Sequence, residues 1–268
     1  MRGHLGAAKD DRSIMTRLTP ELVLECGGIK SADLINSIDV SAPSYSLLYR
    51  IWGNHQKTIF QNKNMGYLEI QKETIGNKLF YKINKLLVNY GNLNQHINIS
   101  LTTRNDEFRT PLEYEYSSII TDNALCTRPE LSLNRKGNIR DRHVLEIIKD
   151  KEYIRKFCGR LVFDFTVYDI VPSGIFIPNF TYYENLYAFK YNNTLVTNDK
   201  TYSFGKQNLK MVIQLGNALT ERIFYMNEYK IPIMMIQNSV VYILDNYARS
   251  ATDLLIEQLN TGGVHYEY

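Results

Sequence analysis

Between Gln95 and Thr103 the chain alternates strictly: Ile97, Ile99 and Leu101 point one way, and His96, Asn98, Ser100 and Thr102 the other. A period of two is the mark of a half-buried strand and is useless to a helix, whose faces repeat every 3.6 residues. The same pattern sets Leu68 and Ile70 against Glu69 and Gln71 within Gly66 to Glu73, continues through Leu112, Tyr114 and Tyr116, and sets Leu209, Met211, Ile213 and Leu215 against Lys210, Val212 and Gln214. Leu79 to Tyr90 differs. Leu79, Tyr81, Ile83 and Leu87 lie on one side and Phe80, Leu86 and Val88 on the other, as in a strand covered on both faces. Turn residues separate these runs at Ile75-Gly76-Asn77-Lys78, Asn92 and Gly216-Asn217.

Tyr45 to Trp52, Leu219 to Met226 and Ile231 to Leu244, the last broken near Gln237-Asn238, add further strands. About ten to twelve strands in succession predict a mainly β protein: a curved antiparallel meander or barrel-like sheet whose closure covers its edges, with short flanking helices. The helices are predicted at Pro20 to Cys26, capped by Thr19, at Ser31 to Ile38, and at Ser250 to Leu259, stopped by Gly262-Gly263. The middle is less regular. A hairpin is predicted around Lys136-Gly137-Asn138, Val144 to Phe157 suits either strand or helix, and Leu161 to Val171 reads as a helix ended by Pro172-Ser173-Gly174. No Gly-, Pro- or Ser-rich linker divides the strand blocks, so residues 19–268 are read as one β-rich domain behind a flexible segment 1–18.

Several function classes are disfavoured. Neither GxxxxGK[ST] nor GxGxxG after a strand occurs, and GxSxG and HExxH are absent. His4, His55, His96, His143 and His265 are isolated, and Cys26, Cys126 and Cys158 form no CxxC pair, so neither a metal site nor a cofactor is expected. The net charge of +3 is spread along 268 residues, which makes nucleic acid an unpromising partner. With no apolar run of signal-peptide or membrane-span length, the expectation is a cytoplasmic protein with reduced thiols and no membrane association, in which the sequons at Asn98, Asn179 and Asn192 carry no meaning.

The 20 tyrosines stand against a single tryptophan, and several cluster with Phe176, Phe180, Tyr182, Tyr183, Tyr187, Phe189 and Tyr191. A phenol ring offers an apolar face and a polar tip, which suits an amphipathic or aromatic small molecule as well as it suits a core. Phe180, Tyr182, Tyr183 and Tyr187, with Arg140 and Arg142 from the basic stretch nearby, are the candidate ligand-binding residues. Acid–base chemistry needs titratable groups drawn together: His143, Asp164, Tyr168, Asp169 and Glu184 are the candidate catalytic set, with Asp164 and Tyr168 at helical i, i+4 spacing and His143 as base.

The runs Gly66-Tyr67-Leu68-Glu69-Ile70, Leu112-Glu113-Tyr114-Glu115-Tyr116, Ile231-Pro232-Ile233 and Tyr242-Ile243-Leu244-Asp245 give Tyr45 to Asp245 a pattern that resembles uncharacterised bacterial proteins with long meandering antiparallel sheets. Those proteins are mostly exported, whereas the segment before Thr19 shows no signal-peptide pattern. The resemblance implies a fold and transfers no catalytic residue. Three functions stay open at this point: binding of a small amphipathic or aromatic ligand within a curved sheet, acid–base catalysis (lyase, isomerase or hydrolase type) on such a ligand, and self-association as a structural homo-oligomer.

Overall fold

The computed structural model describes residues 38–53, 64–90, 93–122, 131–172, 179–184, 188–204, 207–216, 222–237 and 240–261. Eight strands come first: β1 (Ser44–Gly53), β2 (Asn64–Ile75), β3 (Lys78–Tyr90), β4 (Leu93–Arg104), β5 (Pro111–Asp122), β6 (Leu131–Arg140), β7 (His143–Ile148) and β8 (Lys151–Lys156). Then follow β9 (Arg160–Phe163), a 3-10 turn (Asp164–Thr166) and helix α1 (Val167–Ile170). The chain continues through β10 (Phe180–Glu184), β11 (Ala188–Phe204), β12 (Gln207–Leu215), β13 (Arg222–Met226), β14 (Pro232–Gln237) and β15 (Val240–Leu244), and ends in helix α2 (Ala248–Thr261).

All fifteen strands belong to one sheet, in the order β8 through β1, then β15 down to β9. Every neighbouring pair is antiparallel except β9 and β10. The chain therefore lays down one arm from β1 to β8, crosses to the far edge at β9, and returns to pair β15 with β1. The two ends of the order, β8 and β9, are joined by only Phe157–Gly159. The sheet curls to bring them together: Glu146, on the second strand in the order, accepts a hydrogen bond from the hydroxyl of Tyr183, on the fourteenth. The result is a barrel-like roll whose two terminal strands, β8 and β9, are not paired with each other.

A parallel pair needs a crossover, since no tight turn can reverse direction twice. Here the described first part of the crossover between β9 and β10 lies inside the roll, and every residue from Leu161 to Pro172 is buried. This plug gives the inner face its core. Tyr168 packs on Tyr49 of β1 and on Phe224 of β13, with ring centroids 5.6 and 5.8 Å away. Phe163 meets Tyr114 and Tyr183 at 5.5 Å each. On the outside, α2 lies against β2 and β1, where Arg249 pairs with Glu69.

The structure bears out the mainly β curved sheet and corrects it locally. Among the described residues there are fifteen strands, where the sequence predicts about ten to twelve. No hairpin turns at Lys136-Gly137-Asn138; β6 runs straight through it and the turn comes at Asp141-Arg142, both at positive φ (45° and 64°), as a two-residue hairpin of primed type requires. Val144 to Phe157 is a β7–β8 hairpin turning at Lys149-Asp150, again both at positive φ. The helix read at Leu161 to Val171 is a strand to Phe163 and helical only from Asp164, because Arg160–Phe163 pairs with Phe180–Tyr183. The C-terminal helix starts at Ala248, and Ser250 sits inside it with its hydroxyl on the carbonyl of Tyr247. The predicted helix at Pro20 to Cys26, that at Ser31 to Ile38 save Ile38 itself, and the turn at Asn92 lie outside the described residues.

Candidate functional site

In an antiparallel sheet, residues paired across strands share a face, so the register resolves the inner face into rows. One row runs Tyr45–Lys72–Tyr81–Leu101–Tyr114–Gly137–Glu146 from β1 to β7. Its polar members converge on two buried carboxylates. Asp169 of α1 accepts bonds at Oδ1 from the Tyr45 hydroxyl (2.7 Å) and Lys72 Nζ (2.9 Å), and at Oδ2 from the Tyr81 hydroxyl (2.7 Å) and Arg109 Nε (2.5 Å). Burial pushes the Asp169 carboxyl upward, but Arg109, Lys72 and the two phenols outweigh it and hold its pKa below the ordinary carboxylate value. Glu146 accepts from the hydroxyls of Tyr114 (2.5 Å) and Tyr183 and pairs with Arg155.

A third carboxylate, Asp164 of the 3-10 turn, holds Arg222 at 2.6 Å and accepts the Tyr182 hydroxyl. Arg222 belongs to a polar row, Gln214–Arg222–Gln237, on β12, β13 and β14. Its Nε and Nη2 both donate to Gln237 Oε1, at 3.1 and 2.8 Å, and Gln237 Nε2 reaches toward Glu184 at 3.5 Å. Burial alone lowers the Arg222 pKa, but Asp164 and the phenols of Tyr182 and Tyr168 raise it overall, so the guanidinium stays charged.

At the Gly53 end of β1 the inner face changes character. There the row is Ile51–Gly66–Leu87–Gln95–Ile120–Leu131. Beside it runs Tyr49–Leu68–Lys85–Ile97–Ser118–Leu133. Toward β6 the apolar side chains emerge: Leu131 is 60% exposed, and Ile120 and Leu133 are partly exposed, where Tyr81, Leu101 and Tyr114 in the plugged row are at most 3% exposed. Lys85, paired with Leu68 of β2, reaches Tyr242 of β15, its Nζ 2.9 Å from the phenol oxygen. Gly66 cannot change: at φ +130°, a Cβ there would stand 1.9 Å from the Leu86 carbonyl oxygen.

The sequence-derived candidates divide by place. Asp164, Tyr182 and Glu184 gather about Arg222 and Gln237, with Tyr168 beside them in the plug. Asp169 serves the other cluster. Phe180, Tyr182 and Tyr183 are at most 1% exposed, their rings inside the protein. His143 lies apart, at the start of β7, its Nδ1 2.8 Å from the Asp141 carbonyl oxygen, and Arg140 and Arg142 are exposed at the same hairpin. No described contact joins His143 to Tyr168. Tyr187 lies outside the described residues. Glu146, Lys72, Arg109, Arg222, Gln237 and Lys85 were not among the candidates. The available signal was a charge interrupting an apolar run, as Glu146 does in Val144–Ile148.

A cleft of about 410 Å³ lies on β1–β3, lined by Ser44, Ser46, Gln71, Glu73, Phe80 and Lys82 among others. Two of its rows, Ser46–Gln71–Lys82 and Ser44–Glu73–Phe80, alternate with the inner rows and so lie on the outer face, and Tyr45 and Lys72 of the Asp169 cluster line it as well. Among the described residues no three His, Cys, Asp or Glu side chains stand together as a metal would need, and no helix is long and apolar enough to cross a membrane.

No protein-family model matches the chain, and no curated protein matches it. Among solved structures it is similar to a beta-barrel-like protein of a domain of unknown function, DUF1849, from Brucella abortus, with a TM-score of 0.48 and 10% identity over 76% of this chain and 95% of that one.

Proposed function

We propose that the protein binds a small amphipathic molecule inside the roll, at the Gly53 end of the inner face. The observation that supports this reading is the exposure of Leu131, with Ile120 and Leu133 half-buried beside it, on a face most of whose apolar side chains are buried. Apolar surface on the concave side of a roll is costly in water, about 25 cal/mol per Å², and a ligand's apolar part would cover it.

Catalysis has weaker support. Asp169 uses both oxygens on four donors, Glu146 on two phenols and Arg155, and Asp164 on Arg222 and Tyr182. Carboxylates so engaged fasten the plug to the wall and leave little capacity to take a proton from a substrate.

Thermal unfolding in the presence of single-chain amphipaths tests the reading. A ligand at a hundred times its Kd adds about 2.7 kcal/mol to stability, enough to move a midpoint by degrees. The reading expects such a shift in the wild type and its loss in Leu131→Glu. Midpoints unmoved by lipids, glycosides and aromatic amphipaths alike would refute it.

A further inference from the structure

Lys85 is a cation on the inner face with an unusual partner. Its Nζ donates to the Tyr242 hydroxyl oxygen at 2.9 Å and lies 5.3 Å from the centre of that ring, and no described carboxylate pairs with it. Two other inner-face cations do have one: Lys72 has Asp169 at 2.9 Å and Arg222 has Asp164 at 2.6 Å. The inner face at Lys85 therefore carries a positive charge that no carboxylate among the described residues neutralises.

We infer that Lys85 and Tyr242 form the head-group site for an amphipath bearing a single negative charge, a long-chain carboxylate. The inference rests on the proposed amphipath binding. The donor arithmetic supports it. An ammonium has three N–H groups, and one is spent on Tyr242. The phenol oxygen, having accepted that bond, still has its own O–H to give. Two ammonium protons and one phenol proton are thus available from neighbouring atoms to one acceptor group, and charge-assisted bonds of this type are about twice as strong as neutral ones.

The surroundings supply the tail site. From the Lys85 backbone on β3, three interstrand spacings, about 14 Å, lead across the inner face to the exposed Leu131 and the half-buried Leu133 on β6, while its ammonium reaches the other way toward β15. Leu87, Ile97 and Ile120 border that path. A dianion such as a phosphate monoester would bring more negative charge than one ammonium balances, and a cationic head would meet repulsion at the same spot.

The test is a calorimetric titration of the full chain with laurate, dodecanol and dodecyltrimethylammonium, each below its micelle concentration. Laurate is expected to bind at least tenfold more tightly than either of the others, and its affinity to fall as salt is raised. Lys85→Met should cost laurate tenfold or more while changing dodecanol less than twofold. Lys85→Arg, which keeps the charge, should restore most of the laurate affinity, and Tyr242→Phe should lose a smaller factor. If all three amphipaths bind alike and Lys85→Met leaves laurate unchanged, the head-group assignment is wrong and amphipath binding stands. If none of the three binds, both fall.

Discussion

Gly137 lies beneath the ring of Tyr114, so close that a Cβ at Gly137 would stand 2.2 Å from Tyr114 Cε1. The missing side chain lets the phenol of β5 cross β6 and reach Glu146 on β7 at 2.5 Å. Tyr183 of β10 meets the same carboxylate from the other end of the sheet. The closure of the roll thus depends on a glycine placed inside a strand.

Gly137→Ala should therefore displace Tyr114 and cost about 2–3 kcal/mol, the sum of overpacking and a weakened buried bond. Tyr114→Phe alone should cost about 1–2 kcal/mol. Because both act through the same contact, the double variant should cost less than the two together. Urea unfolding of the four proteins measures this; strict additivity would show that Gly137 serves some other purpose.

Asp169 sets the acid limb of stability. Its folded pKa lies below the ordinary 3.8, through Arg109, Lys72, Tyr45 and Tyr81 acting against burial. The ionised form is thus the one folding favours: its stabilisation is complete above pH about 4 and is lost as pH falls through the folded value. Asp169→Asn strands Lys72 and Arg109 beside a neutral amide and should cost about 3–5 kcal/mol at neutral pH. It should also flatten the stability profile between pH 4 and 2, read by urea midpoints; a variant with an unchanged slope would show that other carboxylates carry the limb.

The alkaline limb belongs to the phenols. Burial, first, and then neighbouring carboxylates raise the pKa of Tyr45, Tyr81, Tyr114 and Tyr182, and burial alone raises Tyr49. A raised folded pKa means the stability these groups contribute is whole below the unfolded value near 10 and is lost as pH rises above it. Absorbance of phenolate near 295 nm should show the buried rings of Tyr45, Tyr49, Tyr81, Tyr114 and Tyr182 ionising only in step with unfolding. Smooth titration of all tyrosines with circular dichroism unchanged would contradict the buried network.

Arg142, a candidate ligand contact from sequence, sits exposed in the left-handed region at φ 64°. That conformation costs an L-residue about 1–2 kcal/mol. Arg142→Gly should raise stability by about 1 kcal/mol and leave amphipath affinity unchanged; weakened affinity would return the hairpin to the binding site.

Alternation made the sheet legible, since Ile97, Ile99 and Leu101 can share a face only in a strand. Its lapses were harder to read. Lys136-Gly137-Asn138 has the composition of a turn, yet Gly137 is small because Tyr114 passes over it, a reason that exists only once β5 and β6 are in register. Asp164 and Asp169 were visible as charges in an apolar run, and each holds a buried ion pair. Their partners were not visible: Lys72, Tyr81 and Arg222 are separated from them by tens of residues and are brought near by the curl of the sheet. His143 looked adjacent to the same chemistry and is held at a hairpin by its own strand instead.

The most direct test of amphipath binding is native mass spectrometry of the full chain, purified without detergent from cells that make it. The account predicts a species heavier than the bare polypeptide by one singly charged, long-chain molecule, released at modest collision energy and absent from Leu131→Glu. A bare mass under the gentlest conditions, with the same result after incubation with laurate, would contradict it.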